Sequence, residues 1–267
     1  MTDNAAEEAS DILIKHWQDG TTLDALPEAV SPSNFASAYD TQRHVERLTT
    51  KPLFGWKIAA TSTAGQHHIN VSRPLAGRIL QERVTRLGEL VPLGPNRMQV
   101  AELEFVFRMG RTLELRAMPY EIREVMDAVD GIFLGVEVPD SRFTDFTRVG
   151  AAQLIADNAA ADRFVLGPEV TSDWRSTDLP KHVVNGWTGD GTAEKDIVRA
   201  GSGAAVLGDP RLAMTWLANE LSDHAVPLAK GQYVTTGTCI IPIPVKPGTK
   251  VTGDYGDFGM IRVQFVE

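Results

Sequence analysis

The N-terminal part of the chain has the spacing of apolar residues that is typical of α-helices. Ile12, Leu13 and Trp17 recur at helical intervals. A second apolar series follows Ser33, a residue type that often caps a helix. We therefore predict a small N-terminal helical region over residues 1–52.

From residue 53 the pattern changes to short strand-like runs separated by glycines and prolines. One helix is predicted from Pro119 to Gly131, and another at Asp209-Pro210, a good cap followed by proline at the first helical position. Asp190-Gly191 predicts a tight hairpin turn. Because strands do not alternate regularly with helices, the pattern favours an α+β fold over a doubly wound one. We take residues 53–267 as a second, larger domain.

Composition limits the classes of function. The chain has 267 residues and a formal net charge of −9 with no basic block, so a nucleic-acid surface is not expected. No apolar run reaches the ~20 residues that span a bilayer, and the first residues lack the basic start and apolar core of a secretion signal. Cys239, the single cysteine, lies in an apolar segment and is expected to be a buried, inert thiol. We expect a cytoplasmic protein that binds neither nucleic acid nor membrane.

Two glutamates one residue apart form the most informative motif. Glu102 and Glu104 lie in the strand-like run from Gln99 to Phe107, so both carboxylates project from one face while apolar side chains fill the other. Glu137 interrupts an almost wholly apolar stretch, where a carboxylate is rarely left without a partner. Three carboxylates suit Mg²⁺ or Mn²⁺, which prefer oxygen ligands. The alternative is that Glu102 and Glu104 face solvent from an edge strand and that Glu137 pairs with an arginine.

Three further residues are candidates for proton transfer. Lys57 stands among apolar neighbours on a predicted strand, where it would polarise a substrate oxygen or move a proton, unless it extends to solvent from a sheet edge. His68, beside His67, would carry a proton near neutral pH or lie exposed in a turn. Asp157, before Asn158, would orient a water or Lys57, or form a helix-ending turn.

Clusters of hydroxyls and glycines are candidates for holding a carboxylate. Gly201-Ser202-Gly203 and Thr235-Thr236-Gly237-Thr238 offer hydroxyls and backbone N–H groups. Neither has the Gly-Lys-Ser/Thr ending of a phosphate-binding loop, and no Gly-x-Ser-x-Gly elbow of a serine hydrolase occurs in the sequence. Nucleotide binding and serine hydrolysis are therefore not favoured.

Taken together, these segments resemble the 2-keto-4-pentenoate hydratase and 4-oxalocrotonate decarboxylase branch of the fumarylacetoacetate hydrolase superfamily. The resemblance rests on six segments in order, which are Gly55 to Ser62, Ala101 to Phe105, Gly135 to Val138, Ala156 to Ala159, Ser202-Gly203 with Leu207 to Pro210, and Gly231 to Gly237. It implies a mixed β-roll core, preceded by a helical region, in a protein that forms homo-oligomers. It also implies that Glu102, Glu104 and Glu137 hold Mg²⁺ or Mn²⁺ and that Lys57 is the active-site lysine.

The resemblance further implies a reaction on a small anionic 2-oxo acid. The expected enzyme is a hydratase that adds water to a 2-hydroxydienoate to give a 4-hydroxy-2-oxo acid, as in meta-cleavage catabolism of aromatic compounds. A decarboxylase of a 2-oxo-3-enedioate, of the 4-oxalocrotonate type, is the alternative. Hydrolysis of a diketone, tautomerisation of a keto acid, and a non-catalytic subunit paired with an active decarboxylase or hydratase homologue also stay open.

One position departs from the family pattern. Family hydratases often carry an acidic residue where this chain has Leu75. Arg73 is then a candidate for binding a second substrate carboxylate, and the proton path would use His68 or Asp157. The other predicted substrate contacts are polar side chains of the segments above, namely Ser62, Ser202 and Thr236.

Overall fold

The computed structural model of the chain describes residues 2–189, 191 and 196–267. The α-helices are α1 (Asp3–Asp19), α2 (Phe35–Arg43), α3 (Thr63–His68), α4 (Ile122–Met126), α5 (Ala151–Ala156) and α6 (Pro210–Asp223). Short 3₁₀ helices cover His44–Leu48, Gln81–Arg83, Asn158–Ala160, Leu179–Lys181, Gly203–Ala205 and Gly256–Phe258. Among these described helices, none is both long and apolar enough to cross a membrane.

The described strands form two sheets. The strands are β1 (Gly55–Ala59), β2 (Leu75–Ile79), β3 (Val84–Arg86), β4 (Val91–Pro92), β5 (Val100–Met109), β6 (Val129–Val138), β7 (Arg163–Glu169), β8 (Val183–Thr188), β9 (Val198–Ser202), β10 (Tyr233–Thr238), β11 (Ile243–Pro244), β12 (Lys250–Asp254) and β13 (Met260–Val266). The larger sheet has the order β2-β1-β10-β5-β6-β7-β3, with β11 paired to β5, and the smaller has the order β4-β13-β12-β8-β9. Both sheets are mixed, because β1 runs parallel to β10, β3 to β7 and β4 to β13. The predicted combination of helices with a mixed sheet is confirmed.

The two sheets pack against each other over the apolar side of β5. Leu103, Phe105 and Phe107 are fully buried on that side. Two glycines of the smaller sheet allow a close approach, since a Cβ atom added at Gly186 would lie 2.7 Å from a methyl carbon of Leu103 and one at Gly253 would lie 2.9 Å from it. Because side chains alternate along a strand, the glutamates of β5 project from the opposite face of the larger sheet.

A buried glutamine ties the N-terminal helices to the larger sheet. Gln42, on α2, donates from Nε2 to the carbonyl oxygens of Ala76 and Ile155, each at 2.8 Å, and its Oε1 accepts a hydrogen bond from Arg78. The helical character predicted for residues 1–52 is observed in α1 and α2. The division of the chain into domains at this point stays a prediction.

Three local predictions have different outcomes. The helix predicted at Asp209-Pro210 is confirmed as α6, which the Asp209 side chain caps. The helix predicted from Pro119 to Gly131 is wrong in its length, since α4 ends at Met126 and β6 already begins at Val129. The antiparallel pair β8 and β9 is present, but Asp190 of the predicted turn lies outside the described residues.

Candidate metal centre

Three carboxylates converge on the polar face of the larger sheet. The antiparallel register of β5 and β6 sets Glu102 directly opposite Glu137, and Glu104 opposite Gly135. One carboxylate oxygen from each of Glu102, Glu104 and Glu137 lies within 4.8 Å of the other two. Glu104 and Glu137 are buried, at 1% and 2% exposure, whereas Glu102 is partly exposed and lines a cavity. The group is thus enclosed on the protein side and open on the cavity side.

The neighbouring strand β10 fixes the Glu104 carboxylate. The Thr235 hydroxyl and the Gly237 backbone N–H both donate to Glu104 Oε2, the latter at 2.7 Å. Both donors lie at the stretch between Thr235 and Thr238 where the register of β10 against β5 is irregular. Gly237 has a φ of 106°, and a Cβ atom there would lie 2.0 Å from the Thr61 hydroxyl, so glycine is required at this position. Two of the groups predicted to hold a carboxylate, the Thr235 hydroxyl and the Gly237 N–H, therefore hold one from the protein itself.

Glu137 faces the lysine of β1. Lys57 Nζ lies 3.2 Å from Glu137 Oε1 and donates a hydrogen bond of 3.0 Å to the Ala159 carbonyl oxygen. The ion-pair contact lacks the angles of a hydrogen bond, and neither oxygen of the buried Glu137 carboxylate accepts one from the described residues. A buried carboxylate that has an ion-pair contact but accepts no hydrogen bond is uncommon. A hard dication is a partner that these oxygens and the all-carboxylate donor set fit.

Burial dominates the electrostatics of the group. It raises the pKa of Glu104 to about 8, with a further rise from the Glu102 charge that the Thr235 and Gly237 hydrogen bonds partly oppose. Burial also raises the pKa of Glu137 well above its usual range, while the Lys57 ammonium opposes the rise. Without a cation, the two buried carboxyl groups resist full ionisation at neutral pH. A dication that binds here must displace protons.

A strained turn positions the carbonyl that Lys57 contacts. Asn158, Ala159 and Ala160 have φ values of 55°, 50° and 57°, a region that residues with a Cβ atom seldom adopt. Asn158 is locked to the backbone of Arg78, whose N–H donates to Asn158 Oδ1 at 2.6 Å and whose carbonyl accepts from Nδ2 at 2.8 Å. This double hydrogen bond holds the Ala159 carbonyl over Lys57.

Asp157, the residue before Asn158, is also buried, and its partner is Arg142. Its carboxylate forms an ion pair with Arg142 and accepts a 2.7 Å hydrogen bond from the Ser141 hydroxyl. Burial raises the pKa of Asp157, and the Arg142 guanidinium opposes that rise. The side chain therefore supports the start of the turn, and its described contacts do not include Lys57.

The carboxylates open into a cavity of about 570 Å³. Lys57, Glu102 and His68, the last residue of α3, all line this cavity. His68 is exposed and its ring packs edge-on against Phe146, with 5.9 Å between centroids. Ser62 also lines the cavity, where it caps α3 by accepting a 3.0 Å hydrogen bond from Gly65.

The other predicted substrate contacts lie outside this lining. Arg73 forms an ion pair with the buried Glu220, and neither residue lines the cavity. Thr236 is buried and donates to the Phe105 carbonyl oxygen at 3.0 Å. Ser202 does not line the cavity itself, although its neighbour Gly201 does. Arg73 and Thr236 are engaged within the protein, because Glu220 and the Phe105 carbonyl oxygen accept hydrogen bonds from them.

Two parts of the site were missed from the sequence. The Ala159 carbonyl that contacts Lys57 has no sequence signal, since an alanine with positive φ cannot be recognised from residue type. The segment Cys239 to Pro242 forms a cavity wall. The sequence shows its apolar character, but that character predicts only a buried, inert Cys239 thiol and not a cavity wall.

An acidic group open to a cavity, on a mixed sheet with a few helices, defines a candidate metal-dependent enzyme site. No protein-family model matches the chain. The chain is 29% identical to a 2-keto-4-pentenoate hydratase of Paraburkholderia xenovorans (strain LB400), over 99% of this chain and 96% of that protein. It is 28% identical to a 4-oxalocrotonate decarboxylase of Pseudomonas sp. (strain CF600), over 87% of this chain and 86% of that protein.

Solved structures agree on the fold. The 4-oxalocrotonate decarboxylase from Pseudomonas putida G7, solved with magnesium and adipate, superposes with a TM-score of 0.86 at 23% identity, over 100% of this chain and 99% of that chain. The 2-hydroxyhepta-2,4-diene-1,7-dioate isomerase from Mycobacterium marinum gives 0.54 at 15% identity, over 80% of this chain and 76% of that chain. The chain is a homologue of the 2-keto-4-pentenoate hydratases and 4-oxalocrotonate decarboxylases, and the resemblance noted from the sequence motifs is confirmed.

Proposed function

We propose that the chain is a Mg²⁺- or Mn²⁺-dependent hydratase that adds water to a 2-hydroxydienoate and yields a 4-hydroxy-2-oxo acid. The observation that carries the proposal is the group of Glu102, Glu104 and Glu137, which is open to a cavity and in which neither Glu137 oxygen accepts a hydrogen bond from a described residue. Hydratase relatives aligned over nearly the whole chain support the choice of reaction. The magnesium in the structural neighbour supports the choice of metal.

The three glutamates would hold the dication. When bound, it would supply positive charge for the carboxylate and C2 oxygen of the substrate and stabilise the negative charge that develops on that oxygen. Glu102 is the ligand nearest the open side, because it alone of the three lines the cavity. Thr235 and Gly237 keep Glu104 in place through its Oε2 atom.

Lys57 would hold the C2 oxygen of the substrate. An ammonium group has three N–H donors, and here one contacts the Ala159 carbonyl and another faces Glu137. Among the described residues none accepts from the third, and Lys57 lines the cavity. Lys57 therefore donates to the enolate oxygen while Glu137 and Ala159 keep the side chain in position.

His68 would carry the proton that the reaction moves. Ketonisation of the dienol takes a proton from the O2 hydroxyl and adds one at C5, and water then adds at C4 while C3 receives a proton. His68 is exposed, lines the cavity and belongs to the residue type suited to proton transfer near neutral pH. Asp157 is proposed as a positioning residue that supports the turn above Lys57, because Arg142 and Ser141 already engage its carboxylate.

A decarboxylase of a 2-oxo-3-enedioate is the second candidate. Decarboxylase relatives at 28% identity and the decarboxylase fold at a TM-score of 0.86 favour it. The same glutamates and Lys57 would stabilise the enolate left by loss of CO₂. The two reactions differ in whether the substrate has a second carboxylate.

The test is an assay of the purified chain alone with Mg²⁺ or Mn²⁺. Loss of dienol absorbance from 2-hydroxypenta-2,4-dienoate and release of CO₂ from 2-oxohex-3-enedioate are followed separately. Absorbance loss with formation of the 4-hydroxy-2-oxo acid supports the hydratase, and CO₂ release supports the decarboxylase. Absorbance loss without the hydroxy acid indicates a tautomerase, and no reaction in either assay contradicts both candidates.

We also propose that the larger sheet and its neighbours form a β-roll of the fumarylacetoacetate hydrolase type over residues 53–267, preceded by a helical domain over residues 1–52. Structural neighbours that include 2-hydroxy-dienedioate and hydroxymuconate isomerases support the roll. Assembly into a homo-oligomer is proposed from the family resemblance. Light scattering of the purified chain tests it, and a monomeric mass would contradict it.

A further inference from the structure

A second cavity lies apart from the three carboxylates, and arginines dominate its charge. It has a volume of about 380 Å³, and none of the described residues lines both cavities. Its lining comes from the end of α1, the 3₁₀ helix Gln81–Arg83, and the segments before β5, after β6 and at the start of β7. Four arginines line it, namely Arg83, Arg97, Arg142 and Arg163. We call this cavity the arginine pocket.

This concentration of positive charge contrasts with the formal net charge of −9 of the whole chain. The acidic residues of the described lining are Asp140 and Asp162, so the arginines outnumber them. Burial lowers the pKa of the Arg83 guanidinium, an effect that Asp162 opposes. The charges of Arg142 and Arg163 lower it further. The arginines therefore repel one another, and an anion bound among them would relieve the repulsion.

Two of the four arginines already have carboxylate partners. Arg142 forms an ion pair with Asp157, and Arg83 forms one with Asp162 at 3.3 Å. Arg142 also donates to the carbonyl oxygen of Ala161 at 3.0 Å, so it belongs to the framework behind the strained turn. These two side chains form the fixed part of the arginine pocket.

The other two arginines have no carboxylate partner among the described residues. Arg97 donates to uncharged acceptors, the Thr22 hydroxyl at 2.9 Å and the Gly20 carbonyl oxygen at 3.2 Å. Arg163 is partly buried, and its Nε atom is buried without an acceptor among the described residues. A buried donor on a charged group is costly to leave without an acceptor. Arg163 is therefore the side chain of the pocket that most needs one.

The two aspartates of the pocket are engaged by other donors. Asp162 accepts from Trp17 Nε1 at 2.9 Å through Oδ1 and from Asn96 Nδ2 at 3.3 Å through Oδ2. Asp140 Oδ1 accepts from two backbone N–H groups, at 3.0 and 3.2 Å. Both carboxylates thus help to build the pocket wall. An anion that enters the cavity would supply the acceptor that Arg163 lacks.

We propose that the arginine pocket is a second binding site, which takes a phosphate group and holds it chiefly through Arg97 and Arg163. A guanidinium presents its N–H donors in a planar fork that matches the oxygens of a phosphate, and a dianion balances two arginines without carboxylate partners. At about 380 Å³ the cavity is larger than a phosphate ion, so the group is either free phosphate or part of a small phosphorylated metabolite. The site is independent of the proposed reaction.

The test is calorimetric titration of the purified chain, dialysed free of dications so that phosphate does not bind through the metal centre. Inorganic phosphate, glycerol 3-phosphate and succinate are titrated separately at low ionic strength, and thermal unfolding with each compound gives a second measure of binding. Arg163→Gln should weaken the binding of either phosphate at least about tenfold, because it removes hydrogen bonds to a charged acceptor. Its fold should be unchanged, since no described residue accepts from Arg163 Nε.

Arg199→Gln is the matched control. Arg199 is also partly buried, and its Nε atom is likewise buried without an acceptor among the described residues. It lies on β9 of the smaller sheet and does not line the arginine pocket. This variant removes the same charge from the chain and should bind both phosphates as tightly as the unaltered protein.

Binding of a phosphate that Arg163→Gln weakens and Arg199→Gln leaves unchanged supports the proposal. Tighter binding of glycerol 3-phosphate then identifies a phosphorylated metabolite as the ligand, and equal or tighter binding of inorganic phosphate identifies the free ion. The proposal is overturned if neither phosphate gives a heat of binding or raises the unfolding temperature, or if both variants lose affinity equally, since net charge alone would then explain the loss. Tighter binding of succinate than of either phosphate would also overturn it. Because the titrations contain no dication, these results leave the proposed function to its own test.

Discussion

The Thr235 hydroxyl offers a sharp test of the metal centre, because it donates a hydrogen bond to one of the three carboxylates, that of Glu104. Its Oγ1 donates to Glu104 Oε2, and Thr235→Val removes this hydrogen bond while keeping the shape of the side chain. A hydrogen bond to a charged acceptor is worth about 1.5–3 kcal/mol, which corresponds to a 10- to 100-fold weaker affinity for Mg²⁺ or Mn²⁺. The Gly237 N–H still donates to the same oxygen at 2.7 Å, so the lower part of that range is expected.

The loss should depend on pH. Since the pKa of Glu104 is raised to about 8, this carboxyl group is mostly protonated in the metal-free protein at pH 7. The missing hydrogen bond then weakens mainly the loaded protein, in which Glu104 must be ionised. Well above pH 8 the metal-free carboxylate loses the same bond, so the difference between variant and unaltered protein should shrink.

The assay is calorimetric titration with Mn²⁺ at pH 7 and pH 9. Thr236→Val is the matched control, because Thr236 is the next residue, is equally buried, and donates to the Phe105 carbonyl oxygen at 3.0 Å. Equal affinities for Thr235→Val and the unaltered protein would refute the reasoning. So would an equal loss in Thr236→Val, since the effect would then follow from a general disturbance of β10.

Three further outcomes are expected. Glu104→Gln should abolish metal-dependent turnover and weaken metal binding at least about 100-fold with an unchanged circular dichroism spectrum, and turnover near the original rate would remove Glu104 from the site. Lys57→Ala should lower kcat at least about 100-fold while Mn²⁺ affinity falls far less, and unchanged kinetics would leave Lys57 a structural residue. The metal-free protein should lose stability to urea from pH 5 to pH 8, because the pKa values of Glu104 and Glu137 are raised on folding and the folded state therefore retains protons that the unfolded state has lost. Mg²⁺ at pH 8 should restore that stability, and a flat profile in its absence would contradict the assigned pKa directions.

The centre was predictable from the sequence because its signals are local. The spacing of Glu102 and Glu104 puts both on one face of any strand, and Glu137 stood out in an apolar run. The register of β5 and β6 brings the three glutamates together, and it depends on pairing between segments about 30 residues apart. The sequence predicted three ligands but not their mutual distances.

The length of α4 could not be predicted from the local sequence pattern. The apolar residues from Ile122 to Val129 keep helical spacing, yet the helix ends at Met126. Arg175, about 50 residues later, donates to the carbonyl oxygens of Met126 at 3.1 Å and Val129 at 2.6 Å. A distant side chain thus satisfies acceptors that a longer helix would have used, and the chain enters β6 instead.

Arg73 illustrates the same limit for the site. A cation near a proposed cavity is a reasonable partner for a substrate carboxylate. Arg73, however, forms an ion pair with Glu220, which is 147 residues away in sequence. The guanidinium also lies over the rings of Phe35 and Trp216, at 5.1 and 5.9 Å from their centroids. No local pattern identifies such a competitor.

Gln42 has a consequence for any attempt to dissect the chain. Its amide reaches two segments, β2 at Ala76 and Arg78 and α5 at Ile155, and the Arg78 backbone N–H in turn donates to Asn158 in the turn above Lys57. A fragment that starts after residue 52 would leave these buried groups without their partner, at a cost of about 1–3 kcal/mol for each. Chimaeras between relatives should therefore exchange the leading helices together with the strands that they brace.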